Sequence, residues 1–453
     1  MGRSLDPAEA CVMRWDHARR HAACGLVALA LLTSCSATEP RPDVGGSVAE
    51  PAPGATLAWS RAVATGTRPF AVVGETVLLA DGTALLGLRR SDGGELWRLP
   101  FVDGDRFTVA GGHVVVERSR TGSFVASEPT DSRSVEVFDA ATGSPRWRAE
   151  GPVRAVVRTD AVYLTRAADQ VTTAHEIADG RARWTASGVG IANDSIGARL
   201  PYAPPSPRYL ATRGGGTVAA VDARTGAVQR GRLGSHDWYA LVADQTLVAT
   251  DNDPPPSERR CTVAVATVAV DGTNQRTTTA FSGRQADNSC ERALADTDNG
   301  QSALGSGTRI AVSSADGRPQ VLDLATGAIT WTAAAPGVPI DGDGKSLLVR
   351  RHADTGDLAL LDFAGGRQRW TAPDAGLPGT SASWNSAVTS QLVAVTGAAD
   401  DHPFVTVYDA DTGRLRGRFP SWLAGAGDNW VAVTHGNGTA DQLTMEFWTF
   451  SSR

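Results

Sequence analysis

The chain repeats one short phrase, and that repetition restricts its fold more than any other feature. The clearest copy is Val135-Glu-Val-Phe-Asp-Ala-Ala-Thr-Gly-Ser-Pro-Arg-Trp147, an alternating apolar run to Asp139, a Thr142-Gly143 turn, and a Trp four residues after the glycine. Alternation followed by a glycine turn reads as strand, tight turn, strand. Further copies run from Leu86 to Trp97 over Asp92-Gly93, Ala174 to Trp184 over Asp179-Gly180, Val321 to Trp331 over Thr326-Gly327, and Leu360 to Trp370 over Gly365-Gly366. Three copies keep the turn and lack the Trp: Val221 to Arg230, Val268 to Arg276 and Val407 to Gly417.

The turn glycines recur at intervals of 37 to 55 residues, which suits a four-stranded antiparallel unit. Such a unit cannot bury both faces of its own sheet, and units stacked around an axis make a propeller. The expectation is an all-β chain folded as a single eight-bladed β-propeller of four-stranded antiparallel blades. Nine or seven blades are the alternatives, nine because the eight phrases are joined by a composite unit. Residues 57–63, around Trp59, read as a fourth strand without its first three, and Trp422 to Phe450 offers strands without a fourth. Pairing the N- and C-terminal strands would close the ring and remove two sheet edges. Trp59, Trp97, Trp147, Trp184, Trp331 and Trp370 are read as structural, each laying a flat ring on the next blade.

Asp-x-x-Thr-Gly-x-x-x-Trp, as at Asp139 to Trp147 and Asp323 to Trp331, resembles the tryptophan-docking motif of the PQQ-like (quinoprotein-like) propeller repeats. The resemblance covers nearly all of the chain after the N-terminal segment. It implies a fold and leaves function open, because one scaffold hosts both quinone-dependent dehydrogenases and catalytically silent scaffolds. In the dehydrogenases, PQQ sits with adjacent cysteines, a calcium bound by Glu and Asn, and an Asp base. This chain has no Cys-Cys pair, so neither PQQ nor calcium is expected as a cofactor. With Leu32-Thr33-Ser34-Cys35 placed like a lipobox and a Pro-, Gly- and Ser-rich tether after it, the plan is similar to that of the barrel-assembly propeller lipoproteins, which implies a scaffolding role in outer-membrane protein assembly. Arg230, Arg276 and Gly417 depart from the motif at three docking positions.

At the N-terminus, Arg14, Arg19 and Arg20 precede an apolar run from Cys24 to Leu32 and then Thr33-Ser34-Cys35. This is a secretory pattern too short to span a membrane, whether initiation is at Met1 or Met13. Cys35 is placed like a bacterial lipobox cysteine, so residues 1–34 are expected to be a lipoprotein signal peptide and Cys35 the lipidated residue, anchoring the exported chain to the outer face of the cell membrane. Residues 35–54 are rich in Pro, Gly, Ser and acidic residues and read as a disordered tether. Residues 55–453 would be the propeller. In an exported chain the remaining cysteines, Cys261 and Cys290, suggest a disulfide.

The formal charge is −6, and residues 1–34 hold four Arg against three acidic residues, so their removal leaves the chain more negative. That balance disfavours nucleic acid as a partner. Asp296-Thr-Asp298-Asn299-Gly300 and Asp341-Gly-Asp343-Gly344 have the alternation of calcium loops without the distal Glu. Repeat turns produce the same pattern, as at Asp409-Ala-Asp411-Thr-Gly413, so no metal site is assigned. His113, His175, His236, His352, His402 and His435 show no zinc or triad grouping, and no catalytic residue is assigned.

Arg118 to Ser134 and Asp251 to Arg260 join second and third strands of their units, and Ser282 to Asp298 links two units. In four-stranded blades these connections emerge on one face, while the face of the Pro-rich segment Pro201 to Pro207 stays open. Elaborated loops carry binding. The expected function is therefore a monomeric, lipid-anchored, extracytoplasmic propeller that binds a protein or envelope component through one loop face, without catalysis. The alternative is an exported propeller hydrolase or lyase acting on glycan or peptide at the axis, or, less favoured, a PQQ-dependent dehydrogenase.

Overall fold

The computed structural model describes residues 54–451 except 65–69, 103, 119–131, 167, 192–200, 214–218, 231–237, 243–245, 252–259, 271–272, 274–275, 285–304, 315, 352–356, 373–385, 400–401 and 437–441. All described residues fall in one compact unit, Ala49–Arg453. They are all β, without helix, and their sheets are the blades of a β-propeller.

In chain order, β1 is Ala55–Ala64. A first four-stranded sheet follows: β2 Phe70–Val73, β3 Thr76–Asp81, β4 Ala84–Arg89 and β5 Glu95–Pro100. Seven strands then share one sheet: β6 Arg106–Ala110, β7 His113–Arg118, β8 Ser132–Asp139, β9 Pro145–Val157, β10 Ala161–Arg166, β11 Val171–Glu176 and β12 Ala182–Ala186. Next come β13 Gly190–Ile191, β14 Tyr209–Arg213, β15 Ala219–Asp222 and β16 Val228–Arg230, then β17 Trp238–Val242, β18 Thr246–Asp251, β19 Arg260–Ala269 and β20 Arg276–Arg284. Three more four-stranded sheets are β21 Gly305–Ser306, β22 Arg309–Ser313, β23 Pro319–Asp323 and β24 Ala328–Thr332; β25 Val338–Gly342, β26 Ser346–Arg350, β27 Leu358–Asp362 and β28 Gln368–Ala372; and β29 Ser386–Val388, β30 Leu392–Ala399, β31 His402–Asp409 and β32 Leu415–Phe419. Finally β33 Trp422–Gly427, β34 Trp430–Gly436 and β35 Gln442–Phe450 form a sheet whose fourth member is β1.

The seven-stranded sheet differs from the regular four-stranded pattern for a local reason. Two successive units are linked only by Glu150-Gly151-Pro152, so β9 runs on from one unit into the next. Its first arm pairs with β8 and its second, Val153–Val157, with β10.

The core lies between sheets. In β3, Val77 and Leu79 pack with residues of β34 and β35, whereas Leu78 and Ala80 pack with residues of β6 to β8. Successive side chains of a strand point to opposite faces, so a run such as Thr76-Val-Leu-Leu-Ala80 feeds two interfaces at once. Other clusters join β8 to β10, β10 to β15, β23 to β27, β27 to β31, and β31 to β35 in the same way. Each fully buried Leu or Val in these layers contributes roughly 1.5–3 kcal/mol.

β1 pairs antiparallel with β35, Trp59 opposite Phe447 and Ala64 opposite Gln442. The rings of Trp59 and Phe447 stack at 5.3 Å, and the amide of Ser451 donates to the carbonyl of Gly54 at 3.1 Å.

Candidate binding face, docking turns and axial strap

Each Trp of the repeated phrase lies on the turn of the following unit. The indole Nε1–H donates to a turn carbonyl in every described case: Trp59 to Arg90, Trp97 to Ala140, Trp147 to Ile177, Trp184 to Ala223, Trp331 to Phe363 and Trp370 to Ala410, at 2.8–3.1 Å. The ring covers the turn glycine so closely that a Cβ on Gly143 (φ +66°) would lie 2.7 Å from Trp97 Cγ. Glycine is therefore required twice over, by its left-handed backbone and by the ring above it. The Asp that opens the turn holds it from within, as Asp139 Oδ1 accepts from the amides of Ala141 and Thr142 and from the Thr142 hydroxyl. Arg146 at 2.6 Å, then these turn donors, bring the Asp139 carboxyl down to about 2.

The departures from Trp have distinct structures. Arg276 takes the Trp role with a cation, its Nη1 donating to the carbonyls of Ala325 and Thr326 in the next turn at 3.0 and 3.1 Å. Gly417 has no turn to cover, because in the facing unit Gly54, where the chain enters β1, and Ser451, where it leaves β35, stand in its place. There the neighbouring Arg416 is buried, donating to the Ser451 carbonyl at 3.1 Å, 3.5 Å from Asp409, with its guanidinium over the Phe450 ring. A half-open cavity of about 290 Å³ remains at this seam, lined by Gln391, Asp409, Asp411, Arg416, Asp428 and Phe450 among others. The side chain of Arg230 lies outside the described ones.

The blades have two unlike ends. One, the turn end, carries the tight turns between first and second and between third and fourth strands, and β1 enters there at Gly54. The segment Pro201–Ser206 also binds at this end. Val109 in β6 donates to the Pro201 carbonyl and accepts from Ala203, both at 2.7 Å, forming a parallel bridge to Tyr202. Thr159 donates to Pro204, and Ser206 bonds Asp160. The Tyr202 hydroxyl accepts from the amide of Val72 in β2 at 2.7 Å. The segment is thus a strap fastened to the first strands β2 and β6, where the open edge of a sheet offers unpaired amides and carbonyls, and to the turn that follows β9 in the next unit.

The opposite, loop end receives connections between second and third strands and between units. The two residues flanking 119–131 are held by charge. Arg118 donates to Glu136 at 2.7 and 2.9 Å and to Asp105 at 3.0 Å, while the Ser132 hydroxyl donates to Glu117, which lies 3.4 Å from Arg106. Burial pushes the Glu117 carboxyl up despite Arg106. Around this end, Val102, Val338 and Trp422 are exposed.

Residues 119–333 match the family described as "Outer membrane protein assembly factor BamB". Within that stretch the repeats are of PQQ-like type. Similar solved structures include BamB from Moraxella catarrhalis, 14% identical over 87% of this chain and 100% of that one with a TM-score of 0.41. A europium-containing methanol dehydrogenase is 11% identical, covering 87% and 93%, with a TM-score of 0.39. The C-terminal WD40 domain of Sif2 is 10% identical, covering 88% and 97%, with a TM-score of 0.42. A search of the curated proteins finds no match.

Several residues singled out in the sequence have definite places in this propeller. Asp341 is buried and ties two units, one oxygen accepting from Gly342 and the other from Val388 in β29 at 3.0 Å. Asp343 accepts from the amides of Lys345 and Ser346 within its own turn. Both carboxylates thus serve backbone donors, and among the described residues no group of three His, Cys, Asp or Glu could hold a metal. The backbone places Cys261 in β19 opposite Gly283. Cys35, Cys290 and Asp296 to Gly300 lie outside the described residues. The strap and the Arg118 network carried no sequence signal of their own beyond proline content and isolated charges.

Proposed function

We propose that this chain is a lipid-anchored extracytoplasmic PQQ-like propeller that acts without catalysis, binding an exported protein or envelope component at its loop end. The observation that carries this reading is the contrast between the ends. At the turn end, docking rings, Asp-held turns and the strap consume the backbone groups. At the loop end, ion pairs fix the stems of an insertion between second and third strands, the kind of elaborated loop that carries binding. The family description of residues 119–333, an assembly factor, supports a partner in the envelope. Acylation at Cys35, a Cys261–Cys290 disulfide and a monomeric state belong to the same reading. So does a closed ring of nine units. It is supported by the β1–β35 pairing, by the docking contacts that pass from unit to unit, and by the two units that share β9.

Photocrosslinking side chains placed at Val102 and at Trp422 test the reading on intact cells, with Leu415 on the outer strand β32 as control. One protein captured from both loop-end positions and not from Leu415, with capture lost in Trp422→Glu, is expected. Equal capture from Leu415, or turnover of a small metabolite by the purified chain, would overturn it.

A further inference from the structure

The place where the chain enters the propeller gives it a polarity relative to the membrane. β1 is an outer strand that starts at the turn end, where Gly54 meets Ser451, and finishes at Ala64 by the loop end. We infer that the turn end faces the bilayer and that the loop end, with Val102, Val338 and Trp422, is held away from it. This rests on the anchoring reading above.

The bias follows from the length of the tether. Eighteen residues, 36–53, separate Cys35 from Gly54, a contour of about 60 Å at full extension. β1 has ten residues and so covers about 33 Å from end to end. To bring the loop end against the lipid, the tether must stretch by about that length. A tether reaches across β1 only by giving up conformational freedom, so the inverted orientation is disfavoured, and a tether three times longer gives up less, so the bias falls.

The test uses the full acylated chain on phosphatidylcholine vesicles carrying a headgroup acceptor dye, with a fluorescent side chain at Ala141 in the turn end or at Val102 in the loop end. Stronger energy transfer from position 141 is expected, with the difference shrinking when the tether is tripled by Gly/Ser insertion. Equal transfer from the two positions, or stronger transfer from 102, overturns the polarity while leaving anchoring intact. If Cys35→Ser binds vesicles as well as the parent, or neither binds, the anchoring reading fails and the polarity fails with it.

Discussion

Gly143 and Gly112 offer a controlled measurement of what docking contributes. Both have left-handed backbones, φ +66° and +80°, so an added Cβ costs each roughly 1–2 kcal/mol in backbone strain. They differ in what the methyl meets. At Gly112 nothing lies within 4 Å, whereas at Gly143 the Cγ, Cδ2 and Cβ of Trp97 lie at 2.7–2.9 Å. The ring cannot retreat freely because its Nε1 is bonded to Ala140 and its body is buried between sheets. Over-packing adds about 1–3 kcal/mol, so Gly143→Ala should cost about 2–5 kcal/mol against about 1–2 kcal/mol for Gly112→Ala. For a domain of this size each kcal/mol lowers Tm by about 1 °C, which scanning calorimetry resolves. The cycle closes with Trp97→Ala, itself costing about 3–5 kcal/mol. In that background the Gly143→Ala penalty should drop to the Gly112→Ala value, a coupling of about 1–3 kcal/mol. Equal costs for the two glycine substitutions, or no coupling to Trp97, would refute the idea that the ring on the turn joins the units.

Arg416→Ala should cost about 3–5 kcal/mol by breaking a buried charged contact, and hydrogen exchange should rise first in β1 and β35 rather than around Trp97. Tyr202→Phe removes the acceptor for the Val72 amide and should cost about 1–3 kcal/mol in urea unfolding, with the strap exchanging faster. Glu117 has its folded pKa raised above the usual 4.5, so protonation favours the folded state and that stabilisation is lost as pH rises through the folded value. Glu117→Gln should therefore be more stable than the parent at pH 8, the gain vanishing below about pH 4 in paired melts. Asp139 has the opposite sign. Its carboxyl is held at about 2 against 3.8, so its contribution is present above the ordinary value and lost as pH falls toward 2, and Asp139→Asn should flatten that part of the acid limb.

Much of this fold was legible because the docking phrase combines three demands in a few residues. The strand needs alternation, the turn needs glycine, and the interface needs a large ring that can donate one hydrogen bond. Where one demand was met differently, the sequence showed only a loss. Arg276 reads as a missing Trp, and only the structure shows its guanidinium bonding the same kind of turn carbonyls. Gly417 reads as a degenerate repeat, yet no turn faces it because the chain enters β1 at Gly54 and leaves β35 at Ser451 there. The link Glu150-Gly151-Pro152 is too short to announce a unit boundary, which obscured β9. The strap was illegible for another reason, since Tyr202 meets Val72 across 130 residues and backbone edges attract any segment that can extend. The alternating acids Asp341 and Asp343 accept from amides, a use of carboxylates that spacing alone does not separate from cation binding.

The hydrogen bond from Ser451 to Gly54 makes the first and last described residues neighbours. Order along the polypeptide then matters less to the fold than which strands meet. Joining Gly54 to Ser451 by a short peptide and opening the chain within 252–259 should yield a permuted protein whose docking contacts are unchanged.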